Sequence, residues 1–93
     1  MKKIAERFLR YISIDTQSAH DVDNFPSTEK QKNLAKYLVK EMKELGIYDA
    51  HMDEYGYVYG TIPSNVDNPN LPVIGIIAHM DITPDVTGKD IKP

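Results

Sequence analysis

The sequence contains no cysteine. Disulfides and thiolate metal sites are thereby excluded, which leaves His, Asp and Glu as the strong protein ligands. Any metal would be held through nitrogen and oxygen. No apolar run approaches the roughly 18 residues of a membrane span. The amino terminus, MKKIAERFLRYIS, interrupts its apolar positions with Glu6, Arg7 and Arg10 and so lacks the continuous core of a secretory signal. A cytoplasmic protein with no membrane partner is expected. There is also no basic face: 14 acidic side chains are interspersed with 11 basic ones, for a net charge of -3, which argues against a nucleic-acid partner. Internal repeats and low-complexity tracts are missing as well.

What is present suits one small α/β domain. With 93 residues, 41% of them hydrophobic, the chain can build a modest single core. Folding a chain of this size removes roughly 60 to 70% of its unfolded surface from water.

Residues 3 to 12 place Ile4, Phe8, Leu9 and Ile12 on one side and Lys3, Glu6, Arg7 and Arg10 largely on the other, the pattern of an amphipathic helix. From Ser13 to Ser27 clustered Ser, Asp, Thr, Asn and Pro without a period predict a loop. Its length points toward a functional role. A second helix is expected from Ser27 or Thr28, either hydroxyl serving as cap, with Gln31 three after Thr28 as in a capping box. Its apolar stripe is Leu34, Ala35, Leu38, Met42 and Leu45, and Gly46 suits the position just past its end. Lys30, Lys32, Lys36, Lys40, Glu41, Lys43 and Glu44 are expected to face water.

Residues 48 to 53 and 57 to 62 alternate like strands around Glu54-Tyr55-Gly56, which predicts a hairpin. Tyr55, Tyr57 and Tyr59 read as sheet surface, where cross-strand packing is the commoner role and ligand stacking the rarer one. After a polar connection, Leu71 to Asp81 (LPVIGIIAHMD) begins as a short apolar run, rich in Val and Ile, that suits a strand buried on both faces. The run stops at a histidine and a carboxylate two residues apart, at a strand's carboxyl end. Open α/β sheets bind their ligands there.

Residues i and i+2 on a strand point to one face, roughly 6.5 to 7 Å apart along it. That spacing lets His79 offer a ring nitrogen to a metal while Asp81, after local bending, accepts from the other ring N–H and makes the imidazole a better ligand. The same pair could serve general base catalysis, Asp81 orienting His79. The structural alternative is that His79 only hydrogen-bonds a backbone group where a strand meets solvent. The tripeptide His-Met-Asp also occurs at His51 to Asp53, in an alternating polar strand whose side chains are expected to face water, so the tripeptide alone decides nothing. His20, beside Asp21 and Asp23, reads as an exposed loop histidine. A catalytic zinc takes about three protein ligands plus an open position, and only one histidine with one supporting carboxylate stands out.

Four segments, ERFLRYISIDTQS (Glu6 to Ser18), PSTEKQ (Pro26 to Gln31), AHMDITPD (Ala78 to Asp85) and GKDIKP (Gly88 to Pro93), resemble in their order the beginning of an M20-type metallopeptidase, in particular its tripeptide aminopeptidases. The resemblance implies the N-terminal part of a zinc-exopeptidase-like three-layer α/β/α catalytic domain, formed here by two helices, a hairpin and a buried strand. Residues 1 to 93 would be one partial domain, with the lid or dimerisation domain absent. By the same resemblance the full-length protein carries two zinc ions and releases the N-terminal residue from tripeptides, with His79 a zinc ligand and Asp81 the acidic catalytic partner that tunes it. A water activated by a glutamate base attacks a carbonyl polarised by zinc. That glutamate and the remaining ligands lie downstream in the family, so this chain alone is expected to be inactive and, with strand surface exposed, to self-associate. The alternatives are another M20 exopeptidase or deacylase, or a non-enzymatic small α/β binding module.

Overall fold

A computed structural model describes residues 2–93. The first helix, α1, spans Lys2–Ile12. It closes where the Ser13 hydroxyl donates to the Arg10 carbonyl at 2.6 Å, one of the orphan carbonyls of the last turn. The second, α2, spans Gln31–Glu44. Its C-terminus follows from Gly46, which takes φ 95° and lets the Gly46 and Ile47 amides donate to the Lys43 and Met42 carbonyls at 3.0 and 2.9 Å. This is the paired Schellman arrangement, in which glycine adopts the left-handed conformation without a Cβ penalty.

The start of α2 differs from expectation. No side chain caps it; residues 28–30 instead form a tight turn bonded three residues on. The two candidate hydroxyls are engaged by the preceding loop: Thr28 Oγ1 donates to the Gln17 carbonyl at 2.7 Å, and Ser27 Oγ accepts from the Ala19 amide at 3.1 Å. The Gln31 side chain reaches back to both hydroxyls, at 3.1 and 3.0 Å. The capping residues are therefore used, but to tie the loop to the helix.

Strands β1 (His51–Met52) and β2 (Val58–Tyr59) form an antiparallel hairpin with His51 opposite Tyr59 and Met52 opposite Val58. Its turn is closed by Asp53, whose Oδ1 accepts from the Tyr55 and Tyr57 amides at 2.9 and 3.0 Å, and by Gly56 at φ 85°. The hairpin lies against α2 closely enough that a Cβ on Gly60 would come within 2.7 Å of Ile47 Cγ2 and nearer still to the Met42 methyl. Leu34, Ala35 and Ala50 are the buried apolar residues of the described chain.

The two helices meet through Tyr11 and Tyr37, edge to face with ring centroids 6.1 Å apart. Glu41, expected in water, is buried here instead: it accepts from the Tyr11 hydroxyl and pairs with Arg7 Nε at 3.0 Å. The Arg7 contact is a charge pair without hydrogen-bond alignment, for Nε is otherwise buried and lacks a partner. Burial of a carboxylate at this point is tolerable because opposite charge and a hydroxyl both face it.

The largest departure concerns residues 71 to 81, expected as a strand buried on both faces. The segment is unpaired, and Val73 and Ile76 are 98% and 95% exposed. A strand exists only through a neighbour's backbone, and among the described residues none lies beside this run. Its one ladder contact is an isolated parallel bridge just beyond it, between Gln17 and Ile82. The resulting radius of gyration, 15.7 Å, exceeds the roughly 12 Å of a compact chain this long. The molecule is thus a small α/β fold of two helices and one two-stranded antiparallel sheet, with an apolar arm leading to His79.

Candidate metal centre

The arm ends between two clefts. One, of about 530 Å³, is apolar and bounded by Phe8, Ile12, Leu34, Leu38, Met80 and Ile91; the other, of about 460 Å³, is bounded by Phe25, Gln31, Tyr55, Tyr57 and Asp81. His79 borders both. Its imidazole is 85% exposed and the Asp81 side chain 40%.

His79 Nδ1 lies 3.0 Å from the Asp81 carbonyl and 3.1 Å from Asp81 Oδ1. Both are acceptors, so in the neutral ring Nδ1 carries the proton and Nε2 keeps its lone pair. The backbone contact expected of a purely structural histidine and the carboxylate contact expected of a tuned ligand are present together. Nε2 has no partner among the described residues.

As a metal ligand His79 fits in donor type, tautomer and access. Among the described residues no group of three or more His, Asp or Glu could hold an ion. The described residues bring together one imidazole and one carboxylate, His79 and Asp81.

The other histidines lie elsewhere. His51 Nδ1 pairs with the Asp49 carbonyl at 2.8 Å, and its ring stacks on Tyr59 across the hairpin at 5.4 Å and 26°. With Asp53 closing the turn, the duplicate His-Met-Asp serves structure. His20 is exposed, 3.9 Å from Asp85. Tyr57 and Tyr59 pack at 6.5 Å on the sheet surface, and Tyr59 is raised above the ordinary phenol range by desolvation and the nearby Asp53.

Residues 15 to 18, quoted above only within the family resemblance and otherwise read as loop, form a strip along the chain that follows Asp81. The Ile82 amide donates to the Thr16 carbonyl at 3.2 Å, while the Ile82 carbonyl accepts from the Ser18 amide at 3.0 Å and from Ser18 Oγ at 2.7 Å. Gln17 Nε2 donates to the carbonyls of Pro84 and Val86 at 3.0 and 2.7 Å. Asp15 pairs with Lys30 Nζ at 2.9 Å, and that hydrogen bond, with the Gln17 amide, holds its carboxyl below the usual carboxylate range. A Cβ at Gly88 would overlap Asp15 Oδ1 and lie 3.0 Å from Ile82 Cδ1, so any larger residue where the returning chain crosses the strip would displace the Asp15 carboxylate. The signal in the sequence was the length and polarity of the 13 to 27 loop, which says that such a segment has work to do but not with what.

No protein-family model matches the chain. It is similar over its whole length to curated proteins named peptidase T. That of Alkaliphilus oremlandii is 54% identical over 94 residues, covering 100% of this chain and 23% of the relative. The Aliivibrio fischeri protein is 56% identical over 93 residues, covering 100% and 22%. That of Bacillus pumilus is 52% identical over 92 residues, covering 99% and 22%. The chain spans less than a quarter of the length of these relatives.

Proposed function

We infer that this chain, which belongs with the peptidase T family over its full length, contributes the first metal ligand to a zinc-dependent aminopeptidase that releases the N-terminal residue from tripeptides. The observation that carries the reading is the His79–Asp81 pair, Nδ1 turned to two acceptors and Nε2 left open, in a chain similar throughout to proteins of that name.

In this reading the residues form the amino-terminal part of a three-layer α/β/α catalytic domain, with the arm from Leu71 to Ala78 as one of its inner strands. His79 supplies Nε2 to zinc. Asp81 accepts from Nδ1–H, which keeps the ring in the tautomer a metal needs and raises its basicity. Zinc, when bound, polarises the scissile carbonyl and lowers the pKa of water. The remaining ligands and the general base belong to other parts of the full-length protein, so the chain by itself hydrolyses nothing. No helix of the described residues is long and apolar enough to cross a membrane; the enzyme of this reading is cytoplasmic and acts on small peptides. The isolated chain self-associates through its uncovered arm.

The test is an assay of the 93-residue chain with zinc and tripeptides, alongside calorimetric zinc titration of the chain and of His79→Ala. No turnover, with zinc binding weakened by the substitution, is the expected result. Robust metal-dependent hydrolysis, or identical zinc binding by both proteins, would overturn the reading.

A further inference from the structure

The arm from Pro72 to Asp81 makes no backbone-to-backbone hydrogen bond to any described residue. His79 and Asp81 therefore sit on a stretch with no ladder of its own, and whatever orients them must act from one end. Fixing begins at the next residue: Ile82 is bonded through both its amide and its carbonyl to Thr16 and Ser18. Two and four residues further, Pro84 and Val86 are gathered by a single side-chain amide, that of Gln17.

We propose that Gln17 and Ser18 are positioning residues for the His79–Asp81 pair, clamping the backbone from Ile82 to Val86 so that Asp81 stays against Nδ1 and Nε2 stays open to a metal. The proposal rests on the reading of His79 as a zinc ligand. Neither residue touches the imidazole; both act through the peptide that follows Asp81. The clamp itself is anchored, because the Gln17 carbonyl accepts from Thr28 Oγ1 at 2.7 Å and Gln17 Oε1 from Lys30 Nζ at 3.3 Å. Lys30 also holds Asp15, the residue that opens the strip. The turn before α2 thus reaches Asp81 through a chain of hydrogen bonds, each link carrying a direction as well as an energy. An aspartate adjacent to an unpaired backbone has free rotamers, and loss of the clamp would let its carboxylate leave Nδ1.

The experiment reads the imidazole tautomers directly by long-range proton–nitrogen NMR, at about pH 8.5, some two units above the ordinary histidine pKa. In the unaltered chain His79 is expected in the Nδ1–H form, as is His51, whose Nδ1 faces the Asp49 carbonyl. Gln17→Met/Ser18→Ala should move His79 toward the Nε2–H form and leave His51 unchanged, with zinc binding on the order of tenfold weaker, the lower end of the effect of outer-shell partners. Ser18→Thr keeps the hydroxyl and should match the parent. If the double variant loses helicity by circular dichroism, Ser18→Ala alone, which retains the amide bond to Ile82, is read in the same way and should give a smaller shift of the same sign. Unchanged His79 tautomer and zinc affinity in the folded variants overturn the clamp while His79→Ala still loses zinc. Zinc binding indifferent to His79→Ala overturns the ligand reading and the clamp's purpose with it.

Discussion

The hydroxyl of Tyr11 on α1 donates to the buried carboxylate of Glu41 on α2. Arg7, one turn before Tyr11 on α1, and Arg10, its immediate neighbour, aim at the same carboxylate at 3.0 and 3.8 Å. The helices are therefore joined by one polar knot, beside which Tyr11 and Tyr37 pack edge to face. Burial, and then the Glu41 carboxylate, push the Tyr11 phenol up to about 12.

Tyr11→Phe removes the donor and leaves Glu41 with less compensation. A hydrogen bond to a charged group contributes about 1.5 to 3 kcal/mol, so urea unfolding near neutral pH should show a loss of that order. The pH dependence has a definite sign. Since the folded pKa lies above the ordinary value of 10, the Tyr11 contribution is fully present below about pH 10 and is lost as pH rises from 10 toward 12. Tyr11→Phe should lack that alkaline component.

Asp15→Asn removes the pair with Lys30. Both side chains are partly exposed, so the cost near neutrality should be only about 0.2 to 1 kcal/mol. The Asp15 carboxyl is depressed below its ordinary value of 3.8, and its contribution holds above that pH and disappears as pH falls through the folded value. Urea midpoints measured between pH 6 and 2.5 should converge for parent and variant at the acid end. A constant gap throughout would show that the ion pair is not what Asp15 contributes.

Gly46→Ala should destabilise by about 1 kcal/mol through backbone conformation alone. Nothing lies within 4 Å of an added Cβ there, while φ is 95°. Thermal melts that match the parent within error would mean that α2 ends differently in solution.

Ile76→Lys tests the uncovered arm. The residue is 95% exposed, so chemical stability should not change. Unpaired apolar strands recruit other chains unless a charge blocks them, and sedimentation velocity should show concentration-dependent association of the parent that the lysine suppresses. A parent chain that remains monomeric at high concentration would count against self-association.

Several features were readable from residue order because they depend on neighbours in sequence. The i, i+4, i+8 spacing of Ile4, Phe8 and Ile12 marks α1, and Gly46 marks the end of α2 through a requirement on its own φ. Glu54-Tyr55-Gly56 marks the hairpin turn, and the spacing of His79 and Asp81 puts carboxylate and ring within reach of each other. Both His-Met-Asp copies share that spacing, however, and the Tyr59 ring and the hairpin turn claim one of them. The beginning of α2 was misread for a related reason: Ser27 and Thr28 have the chemistry of caps, but a hydroxyl bonds whichever partner is nearest, and here that is the loop at Gln17 and Ala19.

By itself, then, the sequence determined the two helices, the turn, the absence of thiolate or disulfide chemistry, the two-residue spacing of His79 and Asp81 and the similarity to proteins named peptidase T, all of them properties of residue type and order. Tertiary structure decided what depends on partners far along the chain. It drew Glu41 out of water because Tyr11 and two arginines converge on it. It joined Gln17 and Ser18 to the peptide after Asp81. And it left Val73 to Ile77 exposed, since a strand's burial is conferred by neighbouring strands and never by the apolar run alone.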